Sequence, residues 1–211
     1  MVKIILIRHG ETDWNREQIF RGRIDISLNE VGLAQARAVQ EALKDVPIDV
    51  VYASPLLRAF ETARILSENR DCEVVKEEGV IDINFGKWQG LSHHRVKEEY
   101  KELYHTWLSK PHTVTFPDGE SLTQVRERSV KALERVIKDH LGKTLAVVSH
   151  RVINKVLLCN GLGLELSRFW YIKQDTCAIN MFELRDGNYY VTLLNDTCHL
   201  KRVHERSHVD F

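Results

Sequence analysis

The chain has 211 residues, of which 43% are hydrophobic, a size and composition typical of one globular α/β domain. Its 30 basic and 30 acidic residues cancel, so no overall field favours nucleic acid or an anionic membrane as a partner. The four cysteines form no Cys-x-x-Cys pair, and the spacings of the ten histidines match no familiar metal site. We therefore expect neither a zinc knuckle, nor a redox dithiol, nor a catalytic metal.

Residues 2–7 form a nearly uninterrupted apolar run, which predicts a strand buried on both faces in a parallel sheet. Arg8 and His9 follow at its carboxyl end, where open α/β sheets place their ligands, and Gly10 lets the backbone pass close to an anion. His9 is a candidate nucleophile, and the alternative is an ordinary hydrogen-bonded loop histidine. Arg8 also interrupts the run before it reaches the length of a membrane span or a leader peptide, so we expect a cytoplasmic protein.

Residues 15–28 are polar and punctuated by glycine, which predicts a loop rich in amide and guanidinium donors. Asn29 is predicted to cap a helix that reaches about Lys44. A strand at 49–53 follows, and Ser54-Pro55 is predicted to start the next helix at its cap and first turn. Arg58 then falls on the first turn, where its guanidinium can reach an anion at the strand ends.

The second half of the chain alternates strand and helix patterns. We predict a strand at 73–76, one helix from Ser92 to Leu108, and a second helix capped by Ser121 that runs to about His140. A strand at 144–148 ends in His150, as the first strand ends in His9. A helix at 151–160 and a hairpin of strands 178–184 and 189–194 complete a mixed, mainly parallel sheet in a three-layer α/β architecture.

Several motifs, in the same order along the chain, resemble the histidine phosphatase superfamily, in its phosphoglycerate mutase-like branch. They are Leu6-Ile7-Arg8-His9-Gly10-Glu11-Thr12, Phe20-x-Gly22-x-x-Asp25-x-x-Leu28, Gly32-x-x-Gln35-Ala36, Ser54-Pro55-Leu56-x-Arg58-Ala59-x-x-Thr62-Ala63, Phe85-Gly86-x-Trp88-x-Gly90, Gly119-Glu120-Ser121 and Ser149-His150. The resemblance implies a single domain over residues 1–211, folded as an α/β/α sandwich. It further implies a helical insertion over the active site at about 91–120 and a C-terminal tail at 201–211.

The resemblance also implies the roles of the site residues. His9 becomes the phosphate-accepting nucleophile, while the phosphate-binding groups are Arg8, Asn15, Arg58 and His150, the last of which also stabilises charge during transfer. Asp82 aligns with the glutamate that most relatives use as the proton donor, and its side chain is one methylene shorter. The alternative is that Asp82 is only a turn residue and that Glu11 or a substrate group supplies the proton.

Two arginines depart from the family pattern at the mouth of the predicted site. Many relatives carry Gln or Thr at the position of Arg21, and relatives usually carry Gly at the position of Arg151. With Gly22, these residues are candidate substrate-binding groups that hold the phosphate or meet a substrate carboxylate, although Arg21 is equally explained as a solvated surface residue. Glu120, beside the capping Ser121, is either a site residue or, as we favour, a carboxylate that interacts with the helix dipole.

Three segments most resemble the metal-independent phosphoserine phosphatases: 110–116, 166–170 and 194–200. Phe85 stands where those enzymes carry a histidine. The sequence therefore predicts a cofactor- and metal-independent phosphomonoesterase that works through a phosphohistidine on a small metabolite, with L-phosphoserine favoured. The alternatives are a broad-specificity or α-ribazole phosphatase, a phosphoglycerate mutase, and a catalytically weak partner subunit that binds phosphate. Assembly as a homodimer or heterodimer stays open.

Overall fold

The computed structural model describes residues 1–201 and Val203, so most of the predicted tail at 201–211 lies outside the described residues. The strands are β1 (Val2–Arg8), β2 (Val50–Ala53), β3 (Glu73–Lys76), β4 (Thr144–Ser149), β5 (Ile179–Arg185) and β6 (Asn188–Asp196). The helices are α1 (Asp13–Arg16), α2 (Glu30–Ala42), α3 (Leu57–Ser67), α4 (His93–Glu99), α5 (Lys101–Ser109), α6 (Leu122–Asp139) and α7 (Arg151–Gly161). Short 3-10 helices occupy Glu78–Val80, Gly86–Trp88, Pro111–Thr113, Leu166–Tyr171 and Cys198–Leu200.

The six strands form one mixed sheet in the order β3-β2-β4-β1-β5-β6. The pairs among β1 to β4 are parallel, and β5 and β6 add an antiparallel hairpin at one edge. Alternate residues of β1 enter two apolar cores: Ile4 and Leu6 pack on the side of α6 and α7, and Ile5 and Ile7 pack on the side of α2 and α3. The predicted three-layer α/β architecture is confirmed, and its central strands are buried on both faces.

Capping and turn residues begin two helices and form the hairpin turn where the sequence predicted them. The Asn29 side chain accepts a hydrogen bond from the Gly32 N–H at 2.8 Å and begins α2. Ser121 begins α6 through a capping box with Gln124. The hairpin turns at Asp186 and Gly187, both with positive φ, as a two-residue turn requires.

Two predicted segments differ from the structure. The helix predicted from Ser92 to Leu108 is broken at Tyr100, whose φ of −128° and ψ of 40° are not helical and separate α4 from α5. Asn15 lies on α1, a single helical turn, rather than in a loop. In the described part of the chain, no helix is both long and apolar enough to cross a membrane. The interpretation of the whole chain as one domain stays a prediction.

Candidate active site

The parallel pairing of β1 and β4 brings the two predicted histidines together. Arg8 lies opposite Ser149 in the register, so His9 and His150 both follow at the same carboxyl edge. The His9 N–H donates to the Ser149 carbonyl at 2.9 Å, and the two imidazole centroids are 5.2 Å apart. Both side chains are buried. The ends of β1 and β4 therefore place the two histidines side by side at the base of the site.

The ring of His9 is fixed by its own neighbour. Its Nδ1 lies 2.6 Å from the carbonyl oxygen of Gly10, and because that oxygen only accepts, Nδ1 carries the proton. The remaining lone pair is therefore on Nε2. The Gly10 N–H donates to the Thr62 hydroxyl at 3.1 Å, which ties this turn to α3. A β-carbon at Gly10 would lie 2.6 Å from the Gly32 carbonyl oxygen, so glycine is required at this close approach.

Both histidines are kept neutral by their surroundings. Burial, followed by the positive charge of Arg58, holds the pKa of His9 well below its usual range. Burial and the same arginine also lower the pKa of His150. His150 Nε2 lies 2.7 Å from the Ser54 hydroxyl, which orients the ring. A neutral imidazole keeps the lone pair that nucleophilic attack requires.

Arg58 and Asp82 form an ion pair beside the histidines. Arg58 Nη2 donates to Asp82 Oδ2 at 3.2 Å and to the Gly22 carbonyl at 2.8 Å. The same carboxylate oxygen lies 3.6 Å from His150 Nδ1. Glu11, the alternative acid, instead accepts a hydrogen bond from Asn29 Nδ2 at 3.0 Å. Asp82 is thus the carboxylate that the fold places at the histidine pair.

Arg8 and Asn15 are the other two residues predicted to bind phosphate. Arg8 is fully buried, and its Nη1 donates to the Gln174 carbonyl at 2.8 Å. The amide oxygen of Asn15 accepts from the Thr12 N–H and hydroxyl, both at 3.0 Å, so the orientation of its amide is set by the start of α1.

A cleft of about 350 Å³, including space open to solvent, lies next to His9 and Asp82. Its lining consists of His9, Ile19, Phe20, Arg21, Gly22, Asp82, Phe85, His93, Arg151 and Val152. All three predicted substrate-binding residues are therefore brought to the cleft. Gly22 has a φ of +53°, and a β-carbon there would lie 2.2 Å from the Gln89 amide oxygen, so it also shapes the turn.

Sequence reasoning missed several residues of the site. Ser54 was predicted to cap α3, but that helix begins at Leu57 without a side-chain cap, and Ser54 instead holds His150. Its place directly after β2, beside β4 in the sheet, was a signal that could have found it. His93 stacks on Phe20 at 4.1 Å and lines the cleft. Gln174, which holds Arg8, lies in an irregular segment with no pattern to identify it.

Among the residues that the structure describes, no group of three or more His, Cys, Asp or Glu side chains is placed to hold a metal ion. The positive groups at the cleft are arginines instead. They offer planar, bidentate hydrogen bonding suited to phosphate. The metal independence of the reaction stays a prediction.

The family match and the similar phosphoserine phosphatases identify a class, a phosphoric monoester hydrolase for a small phosphorylated substrate. The chain belongs to the histidine phosphatase superfamily, branch 1, whose family model matches residues 4–197. The resemblance drawn from the motifs is thereby confirmed.

Three relatives place the chain within that family. It is 38% identical to phosphoserine phosphatase 1 of Hydrogenobacter thermophilus over 208 residues, 99% of each chain. The solved structure of YhfR from Bacillus stearothermophilus matches with a TM-score of 0.92 at 27% identity, over 95% of this chain and 100% of that one. A histidine-to-alanine mutant of the phosphoserine phosphatase from Entamoeba histolytica, solved in complex with phosphoserine, matches with a TM-score of 0.82 at 32% identity, again over 95% and 100%.

Proposed function

We propose that the chain is a metal- and cofactor-independent phosphatase that hydrolyses L-phosphoserine through a phosphohistidine at His9. The observation that carries the proposal is the geometry of His9, whose Nδ1 is bonded to the Gly10 carbonyl so that Nε2 holds the lone pair. The lowered pKa keeps this nitrogen unprotonated at neutral pH. It is therefore ready to attack phosphorus without a separate general base.

In the first step, His9 Nε2 forms a bond to phosphorus while the bond from phosphorus to the serine oxygen breaks. Arg8, Asn15, Arg58 and His150 hold the phosphoryl oxygens, whose charge lies on the outer atoms during transfer. Arg58 can turn toward phosphate from the position where it now contacts Asp82 at 3.2 Å.

Asp82 gives its proton to the departing serine oxygen, which leaves as the alcohol. In the second step, water attacks the phosphohistidine and loses a proton to Asp82, and the bond from phosphorus to Nε2 breaks. His9 is neutral again and Asp82 regains the proton that it gave up, so the cycle balances. A phosphomonoester binds its last proton with a pKa of about 6, so the substrate can also bring the proton that Asp82 uses.

Two observations support phosphoserine as the preferred substrate. Two of the similar proteins are described as phosphoserine phosphatases, one of them bound to phosphoserine. In this chain, Arg21 and Arg151 line the cleft next to His9, where they can meet a carboxylate on the carbon chain of the substrate.

The test is phosphate release with EDTA present from L-phosphoserine, 3-phosphoglycerate, α-ribazole phosphate, sugar phosphates and p-nitrophenyl phosphate. We expect selective, EDTA-resistant release from L-phosphoserine and an acid-labile, base-stable phosphorylated enzyme after rapid quench. Equal release across the panel would indicate a broad-specificity phosphatase. Conversion of 3-phosphoglycerate to its isomer would indicate a mutase, and binding without release would indicate a phosphate-binding partner subunit.

A further inference from the structure

A guanidinium on α6 holds the backbone that carries Asp82. Arg128 Nη1 donates to the carbonyls of Gly79 at 2.9 Å and Ile81 at 2.8 Å. Its Nη2 donates to the carbonyl of Asp82 itself at 3.1 Å. Three main-chain acceptors from one irregular segment thus converge on one side chain. Only a planar fork of donors satisfies such a set, because the donors of a lysine ammonium radiate from one nitrogen.

Glu120 fixes the guanidinium from the other side. Its two carboxylate oxygens accept from Arg128 Nε at 2.8 Å and Nη2 at 3.0 Å. Its Oε2 also accepts from the Asn84 N–H at 2.8 Å, and its own N–H donates to the Asn84 carbonyl at 2.8 Å. Glu120 therefore anchors Arg128 and the far end of the Asp82 segment together.

The charge of Glu120 is maintained in this position. Partial burial acts to raise its pKa, but hydrogen bonds from Arg128 and the Asn84 N–H outweigh it and leave the pKa of Glu120 lowered. Arg23 adds a second cation, with an ion pair to Glu120 at 3.1 Å and a hydrogen bond from Nε to the Asp82 carbonyl at 3.3 Å.

The position of the Asp82 carboxyl depends closely on its backbone. Its Oδ1 accepts from the N–H of the next residue, Ile83, at 2.9 Å, which fixes the carboxyl plane. Its Oδ2 is the oxygen at 3.2 Å from Arg58. An aspartate has a single methylene between backbone and carboxyl, so a backbone shift cannot be absorbed by side-chain torsions as in a glutamate. A misplacement of about 1 Å at a reacting group costs on the order of 100-fold in rate.

We infer that Arg128, held by Glu120, is a positioning residue that sets the backbone of Asp82 so that its carboxyl reaches the leaving-group oxygen. This inference rests on the proposed role of Asp82 as the proton donor. Arg128 acts on the backbone of this segment and not on the carboxyl itself, through the carbonyls at 79, 81 and 82.

The test compares kcat on two leaving groups. The serine oxygen of L-phosphoserine needs a proton to leave, whereas p-nitrophenolate leaves without one. We expect Arg128→Met to lower kcat on L-phosphoserine by about 10- to 100-fold, with a much smaller loss on p-nitrophenyl phosphate and little change in KM. Asp82→Asn should show the same selectivity, and the double variant should be no slower than Asp82→Asn alone.

Arg135→Met is the matched control, because Arg135 lies on the same helix and pairs with the side chain of Glu77 rather than with the carbonyls near Asp82. It should leave the ratio of the two rates unchanged. Arg128→Lys and Glu120→Gln provide milder variants if Arg128→Met fails to fold by circular dichroism. Both should show the same leaving-group selectivity, with a smaller loss of kcat on L-phosphoserine.

The outcomes separate this inference from the function on which it rests. Equal losses on both substrates in Asp82→Asn would remove Asp82 as the donor and the inference with it. Selective loss in Asp82→Asn, with equal losses on both substrates in the Arg128 and Glu120 variants, would overturn the positioning role alone. Fully additive losses in the double variant would do the same, because they would show that Arg128 acts independently of Asp82.

Discussion

The parallel strands at the centre of the sheet and the β5–β6 hairpin at its edge place polar side chains differently. In β1 and β4 almost every residue is buried, and the polar groups Arg8, His9, Ser149 and His150 come at or just after the strand end. In β6 the side chains alternate between exposed and half-buried along the strand. A strand buried on both faces has no solvent face for polar groups, whereas the edge strand β6 has one along its length.

This difference predicts which region of the sheet affects catalysis and which affects only the stability of the fold. Polar groups at the ends of buried strands lie away from bulk water, where charges and hydrogen bonds act strongly on a bound anion. Polar groups along β6 are partly solvated and act more weakly. We therefore expect changes at the strand ends to reduce activity in a folded protein, and changes at the hairpin to reduce stability in an active one.

The largest expected effect is at the end of β1. His9→Ala removes the proposed nucleophile, and kcat for L-phosphoserine should fall by about four orders of magnitude or more. Rapid-quench trapping of phosphoenzyme should give no signal. His94→Ala is the matched control, since that histidine is exposed on α4 and pairs with Glu98. Retained turnover in a folded His9→Ala protein would contradict the phosphohistidine pathway.

At the mouth of the cleft we expect a smaller effect that concerns specificity. O-phosphoethanolamine is phosphoserine without its carboxylate, so the ratio of kcat/KM for the two compounds measures carboxylate recognition. Arg151→Met should reduce this ratio by about 10- to 100-fold, the size of one lost hydrogen bond to a charged group. Arg168→Met, an arginine outside the cleft lining, stacked near Tyr171, serves as the control. An unchanged ratio in Arg151→Met and Arg21→Met would remove both arginines from substrate recognition.

The strand ends should also make stability depend on pH. The pKa values of His9 and His150 are lowered from 6.5 in the folded chain, so below that pH the unfolded chain binds protons that the folded chain does not. Stability present above pH 6.5 is therefore lost as the pH falls toward the lowered folded values. The loss is at most about 1.4 kcal/mol per pH unit for each histidine.

Urea unfolding at pH 7.5, 6.5 and 5.5 checks this dependence. His150→Gln should flatten the decline relative to the wild type, even if it lowers stability at every pH. His112→Gln, at an exposed position of the Pro111–Thr113 turn, should leave the slope unchanged. An equal slope in His150→Gln would contradict a buried neutral imidazole at that position.

Sequence patterns predicted the strand ends well because an apolar run followed by a polar residue identifies both the strand and its edge. The closeness of His9 and His150 was implied by the family resemblance, and the observed parallel pairing of β1 with β4 explains it. The break at Tyr100 was not predictable, since Glu99-Tyr100-Lys101 contains neither proline nor glycine. The contacts of Arg128 with the Asp82 segment were also hidden, because its acceptors there are backbone carbonyls, which carry no residue-type signal.

The smallest expected effect concerns the β5–β6 hairpin, at its turn. Gly187 has a φ of +79°, a conformation that a β-carbon strains, although no heavy atom lies within 4 Å of the position that carbon would take. The cost of Gly187→Ala is therefore that of the backbone alone, about 1–2 kcal/mol of unfolding free energy. Urea unfolding should detect it, while kcat on L-phosphoserine should stay at the wild-type value. Gly142→Ala, with a φ of +86° and similarly open space, should behave in the same way just before β4. A fall in kcat for Gly187→Ala at full stability would show that the hairpin is coupled to the cleft, and the separation between the two regions would then fail.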